Sequence, residues 1–310
     1  MMRSAGDLLS CHLFSNPRNA THPNPNPNSR FLSPTGRIGR KKSSRPFKDF
    51  YGEWVDALRS TLLPLLRHSM SAALVDHPVA HRGLLGGGAM VSSSDLLSTH
   101  AHALHAHFQA YFQALDLAAH HDVSQLLSPD WRNPLETPFL WLGDFHPAVL
   151  PTLLRSFLHP PADEPRRSLP FALAWTSPSR DLTARIDQIE RGLRLIVPAL
   201  ASRLRDAQAS FLEAAAAEWA ANRGKEVGSL PPAKNVDGAS RAQLEELASV
   251  FLDANRLRRS VLAEIVEVLD VYQAALYLEA LAQFVVGFRD PELLHDFEQC
   301  RMPPSPPGSA

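Results

Sequence analysis

The sequence predicts an all-α protein, an antiparallel bundle of long, kinked helices behind a disordered N-terminal arm. Three observations carry this. Apolar residues recur at alternating three- and four-residue spacing over several separate stretches, the period of a helix with one buried face. No segment alternates with period two for long, and no Asn-Gly hairpin dipeptide occurs. The 310 residues, 45% hydrophobic and 20% charged, suffice for one large or two modest domains with a real core.

Residues 1–46 read as a disordered basic arm, with the Pro-Asn repeat from Pro23 to Asn28 and the cluster Arg37, Arg40, Lys41, Lys42, Arg45. A helical domain follows over 47–300, and 301–310 reads as a disordered tail. Its first helix places Phe47, Phe50, Trp54, Leu58, Leu62, Leu65 and Leu66 on one stripe. Pro64 should kink it, because proline supplies no backbone donor. Residues 75–93 contain three consecutive glycines and are expected to form a flexible loop. Ser94-Asp95 offers an N-cap to a helix running to about Leu127, striped by Leu97, Ala101, Leu104, Phe108, Tyr111, Leu115 and Ala118.

Residues 129–158 read as a short helix bracketed by Trp131 and Trp141, a tight turn at Gly143-Asp144, then Pro147 and a second helix. After a proline-rich loop over 159–178, a long helix from Ser179 carries Leu182, Ile186, Ile189, Leu193, Ile196 and Leu200. Arg203 interrupts that stripe, and a bend at Pro198 would explain the shift to Leu204. A further loop is expected at 223–238 and a last helical region at 241–289.

The net charge of −1 hides an uneven distribution. Residues 1–46 hold eight Lys or Arg against the single acid Asp7, a balance of +7 that leaves −8 for the rest. A basic arm on an acidic body fits an anionic partner such as membrane phosphates, nucleic acid or an import receptor. The two cysteines, Cys11 and Cys300, lack metal-ligand spacing, and a reducing, intracellular compartment fits them best. No secretory signal is expected at the N-terminus, and no run of about 18 apolar residues could span a membrane.

Chemistry-bearing motifs are sparse. His100, His102, His105 and His107 crowd one helix, and His102/His105 has the i,i+3 spacing that turns two rings to one side. Without a nearby carboxylate cluster the expected reading is a polar helix face. His102 and His105 remain weak haem or metal candidates, and no cofactor is expected. The glycine loop lacks the Lys-Ser/Thr of a phosphate-binding loop. Asp144 and His146 in the turn are expected to cap the following helix rather than to form an acid–base pair. Arg132 and Glu136, four residues apart, should form a structural clasp. No catalytic residue is assigned, and the chain reads as a non-enzyme.

The block Trp131, Arg132, Leu135, Glu136, Phe139, Leu140, Trp141, Gly143 resembles the W-R-x-x-L-E-x-x-F-L-W-[IL]-G signature of the plant delay-of-germination domain. Phe47, Phe50, Tyr51 and Trp54 resemble that family's first helix, and Asp253 to Ala280 resembles its closing segment. Within the family, Gly143-Asp144-Phe145-His146-Pro147 is similar to the inaperturate-pollen branch, whereas dormancy and bZIP members usually read G-G-W-R-P. Trp54, Trp131, Arg132, Leu135, Glu136, Trp141, Gly143, Asp144, His146 and Pro147 are thus the signature residues.

The resemblance implies a non-enzymatic plant protein required for pollen aperture formation. It would be a scaffold at plasma-membrane domains of the developing microspore where exine is not deposited. Its partners would be other proteins there, with anionic lipid on the basic arm. No small-molecule substrate is implied. Direct nucleic-acid binding is not expected, because no leucine heptads follow the basic cluster as a bZIP requires. The alternatives are a nuclear accessory of TGA-type bZIP factors, and a haem- or metal-responsive regulator, an association known for some delay-of-germination proteins.

Overall fold

The computed structural model describes residues 46–76, 92–158, 171, 174–221, 223 and 234–301. The basic arm with Arg37, Arg40, Lys41, Lys42 and Arg45 therefore lies outside the described residues. So do most of the 75–93, 159–178 and 223–238 loops and nearly all of the tail. Among the described residues the fold is all-α apart from one two-stranded sheet.

Helix α1 (Phe47–Ala57) passes through a π turn (Leu58–Leu62) into α2 (Leu63–Asp76). The π turn accommodates Pro64. Proline cannot donate to the carbonyl four residues back, and one wider turn takes up the misfit, with the Leu63 N–H bonding to the Leu58 carbonyl. Helix α3 (Ser93–Asp122) is capped by Ser92, whose hydroxyl accepts from the Asp95 N–H at 3.1 Å, rather than by Ser94. It breaks at Val123 before the short α4 (Ser124–Leu127).

The signature block departs from the expected helix, turn and helix. Residues 129–136 form turns, then a 3-10 turn (Thr137–Phe139) leads into an antiparallel hairpin of β1 (Leu140–Trp141) and β2 (Asp144–Phe145). Pro134 and Pro138 interrupt backbone donors every four residues, which leaves no room for a helix there. Helix α5 (Val149–Leu158) follows as expected.

Helix α6 (Arg180–Ala221) runs through Pro198 as a single element. Helix α7 (Lys234–Val268) starts earlier than expected, inside the 223–238 loop, and ends before Asp270. There the anticipated 241–289 region divides. Asp270 caps α8 (Val271–Gly287), its carboxylate accepting from the Gln273 N–H at 2.8 Å while the Gln273 side chain accepts from the Asp270 N–H at 3.1 Å. Helix α9 (Pro291–Arg301) closes the described chain.

Helices α6 and α7 are antiparallel, as the pairs Arg203–Glu246 at 2.8 Å and Arg185–Glu264 at 3.4 Å show. Arg203 also meets Asp253 at 2.6 Å, so the break in the apolar stripe is a cation reaching across to α7. The core joins Leu58 and Leu66, Leu97, Leu104 and Leu115, Ile186, Phe251 and Leu262, and Tyr277 and Leu278, all essentially buried. No single helix among the described residues is long and apolar enough to cross a membrane. The bent pair α8–α9 passes by composition, but the apolar side chains of α8 are spent on the bundle core.

Candidate functional site

The signature residues meet in the interior. Arg132, Glu136 and Asp144 each leave only 1% of their side chains exposed. The Arg132 guanidinium forks. Nη1 donates to Glu136 Oε2 at 2.8 Å and to the Tyr51 hydroxyl at 2.9 Å, while Nη2 donates to Asp144 Oδ1 and to the Tyr111 hydroxyl, both at 2.7 Å. The two tyrosines pass their own protons on, Tyr51 to Glu136 at 3.3 Å and Tyr111 to Asp144 at 2.9 Å. One cation thus faces two carboxylates through a closed ring of charge-assisted bonds.

Burial opposes the charge on Arg132, but Tyr111, Asp144, Tyr51 and Glu136 more than offset it and raise its pKa well above the usual guanidinium range. Burial raises both phenols, against the pull of Arg132, so they remain neutral donors. Aromatic faces complete the enclosure, with Tyr51 at 4.4 Å and Trp131 at 4.8 Å from the guanidinium carbon. Asn133 locks the approach, its amide donating to Glu136 Oε1 at 3.1 Å and to the Phe288 carbonyl at 2.7 Å. Its side-chain oxygen accepts from the N–H groups of Leu135 and Glu136. Leu135 itself is half-buried.

A second guanidinium holds the hairpin. Arg258, 2% exposed on α7, donates through Nε to the Phe145 carbonyl at 2.7 Å. Its Nη2 reaches the carbonyls of Trp141, Leu142 (3.2 Å) and Asp144 (3.3 Å). Burial lowers its pKa, with Asp144 and Tyr111 opposing. Between the strands the chain turns at Leu142 (φ 46°) and Gly143 (φ 79°), positive at both positions as in a two-residue type I′ turn.

Gly143 has a second reason to be glycine. A Cβ there would lie 2.6 Å from the Leu126 carbonyl oxygen and 2.9 Å from the Phe251 ring. Gly143→Ala is expected to cost about 1–2 kcal/mol for the left-handed backbone and about 1–3 kcal/mol more for overpacking. Gly52→Ala, in α1 with nothing within 4 Å of the new methyl, should instead raise stability slightly. Urea unfolding of the two variants checks the opposite signs.

The structure corrects one of two expected capping roles. Asp144 is not a helix cap but one of the two carboxylates that Arg132 pairs with. His146 does cap, its Nδ1 accepting from the Ala148 N–H at 3.1 Å ahead of α5, where Pro147 is buried. Trp131 and Trp141 are half-buried at the rim of the cluster. Trp131 donates to the Gln125 carbonyl at 3.1 Å. Trp54 is the enclosed one, exchanging bonds with α3. Its indole donates to the His107 carbonyl and His107 Nε2 donates to its carbonyl, each at 3.0 Å, with the two rings stacked.

His102 is exposed and His105 half-buried on one surface groove that also includes Glu267. Among the described residues no three His, Cys, Asp or Glu side chains are grouped to hold a metal. Tyr51, Tyr111, Asn133 and Arg258 are members of the cluster that sequence reasoning did not single out. The resemblances of the first helix and of the closing segment contain Tyr51 and Arg258, but nothing local marks their role.

Burial holds His105, His107 and His146 below the usual imidazole pKa of 6.5. His102 adds to the effect at His105 and Arg258 at His146, while the Trp54 carbonyl opposes it at His107. The unfolded chain therefore takes up protons first as pH falls. Stability from these groups is complete above about pH 6.5 and declines below it toward the folded values. The melting temperature should fall between about pH 7.5 and 5.5, and His107→Gln with His146→Gln should flatten that decline.

A family model described as seed dormancy control (DOG1) matches residues 69–156, from α2 through α5. The chain is 40% identical over 289 residues to Protein INAPERTURATE POLLEN1 of Arabidopsis thaliana, covering 87% of this chain and 99% of that protein. It is 40% identical over 269 residues to the INAPERTURATE POLLEN 1 homolog of Oryza sativa subsp. japonica, covering 86% and 94%. Transcription factor TGA2.1 of Oryza sativa subsp. japonica is 44% identical over 55 residues, 18% of this chain and 16% of that protein.

Proposed function

Because this chain belongs to the inaperturate-pollen family of DOG1-domain proteins, we propose that it acts in pollen aperture formation as a non-enzymatic scaffold. It would mark the plasma-membrane domains of the microspore where exine is not deposited. The likeness to two inaperturate-pollen proteins over 87% and 86% of the chain carries this reading. The central cluster supports a structural role for the signature. Its charged groups are withdrawn from solvent and bonded to one another, to the two tyrosines and to hairpin carbonyls, so they clamp α1, α3, α7 and the hairpin together.

The scaffold would bind other proteins of the aperture domain and, through the basic arm, anionic lipid at about 1 kcal/mol per basic residue near the surface. Expression of a tagged chain in plants lacking their own inaperturate-pollen protein tests this. Restored apertures, with the tag at discrete plasma-membrane patches of tetrad-stage microspores, are expected. A purely nuclear tag with no apertures would favour a transcriptional accessory instead, in line with the short TGA2.1 match.

A further inference from the structure

We propose that the outer face of α6 is the surface by which the folded domain lies on an anionic phospholipid membrane, an inference that rests on the membrane reading above. Helix α6 buries Leu182, Ile186, Ile189, Leu193 and Leu200 against the bundle. Its opposite side carries Leu195, Leu212 and Trp219, which are 75%, 64% and 75% exposed. At about 100° per residue these three fall within one arc of about 120°. Arg191, Arg194, Pro198 and Arg205 fall within that arc too. The arginines are exposed and form no ion pair among the described residues, whereas Arg185 and Arg203 on the flanks are paired to α7. Asp187 falls within the same arc but is paired to Arg155 at 2.6 Å. Asp206 and Glu213 lie along the margin that Leu195 occupies, C-terminal to Arg205, so the stretch from Arg191 to Arg205 is the basic one.

From Arg191 to Trp219 this face extends about 42 Å along the axis. It is the convex back of one helix, and its large apolar residues are separated by small or charged ones. A protein partner needs a contiguous desolvated core to bind such a surface. A membrane needs only a line of tangency, where Leu and Trp enter the headgroup layer and Arg stems extend to the phosphates. Pairing with a second copy across the basic half would set Arg194 against Arg205 of the other chain.

Sedimentation of the full chain with phosphatidylcholine vesicles, with and without phosphatidylserine, tests the proposal. At about fivefold per basic residue, R191A/R194A/R205A should lower partition onto anionic vesicles on the order of a hundredfold. Its melting should be unchanged, since all three side chains are exposed. Anionic vesicles should also shift tryptophan emission to the blue, and W219F should abolish the shift. If R191A/R194A/R205A binds like the unmodified chain while R37A/R40A/K41A/K42A/R45A does not bind, the proposal is overturned and the membrane reading stands. If the unmodified chain binds no vesicle, both fall. A dimer in solution that L195A/L212A/W219A dissociates, without vesicle binding, would give the face to a second copy and overturn the proposal.

Discussion

Arg132→Met is expected to cost about 3–5 kcal/mol, because it strands two carboxylates in the interior without their cation. Glu136 and Asp144 would each keep only a tyrosine hydroxyl from the ring, with Asn133 still donating to Glu136. A loss of that size is a large share of the roughly 5–15 kcal/mol that holds a typical domain together. The variant should therefore be poorly soluble and easily proteolysed. Arg132→Met combined with Glu136→Gln and Asp144→Asn should recover part of the loss, since no unpaired charge remains buried. Equilibrium unfolding in urea distinguishes the cases. A cost below about 1 kcal/mol for the single variant would mean that the cluster does not lock the fold.

Arg258→Met should be of similar size and act more locally. It removes the donors that serve carbonyls at Trp141, Leu142, Asp144 and Phe145 from a side chain 2% exposed. Each buried carbonyl left without a partner costs about 1–3 kcal/mol, so a total of at least about 4 kcal/mol is expected for the four. Arg258→Lys keeps the charge but not the planar fork, and should recover less than half. Hydrogen exchange gives the specific signature. The His146 amide, bonded to the Phe139 carbonyl at 2.8 Å, should lose protection in Arg258→Met before the amides of α3 do. If the hairpin exchanges no faster than α3, Arg258 does not hold it.

The Arg132 clasp differs from its sequence signal. The i,i+4 spacing of Arg132 and Glu136 pointed to an ion pair on a helix, and the pair exists at 2.8 Å, yet on turns rather than on a helix. What the spacing could not show is the third charge. Asp144 lies twelve residues on and reaches Arg132 because the chain reverses at Leu142 and Gly143. Gly143 announced a tight turn, expected at Gly143-Asp144, but no Asn-Gly or Asp-Gly dipeptide marked it as a hairpin. It falls one residue earlier, with Leu142 in a positive-φ position that bulky residues rarely take.

The sequence by itself determined the all-α class, the buried stripes of the long helices, the start at Phe47 and the family, because periodicity and signature spacing are local properties of the chain. The division of 241–289 at Asp270, the π turn before Pro64 and the role of Arg203 needed the fold. Each depends on what the opposite helix or the preceding turn presents. The central cluster needed it most. Tyr51, Tyr111, Arg132, Asp144 and Arg258 come from five separated stretches of the sequence. A buried charge is costly unless it is paired and hydrogen-bonded, and only the packed structure brings those partners together.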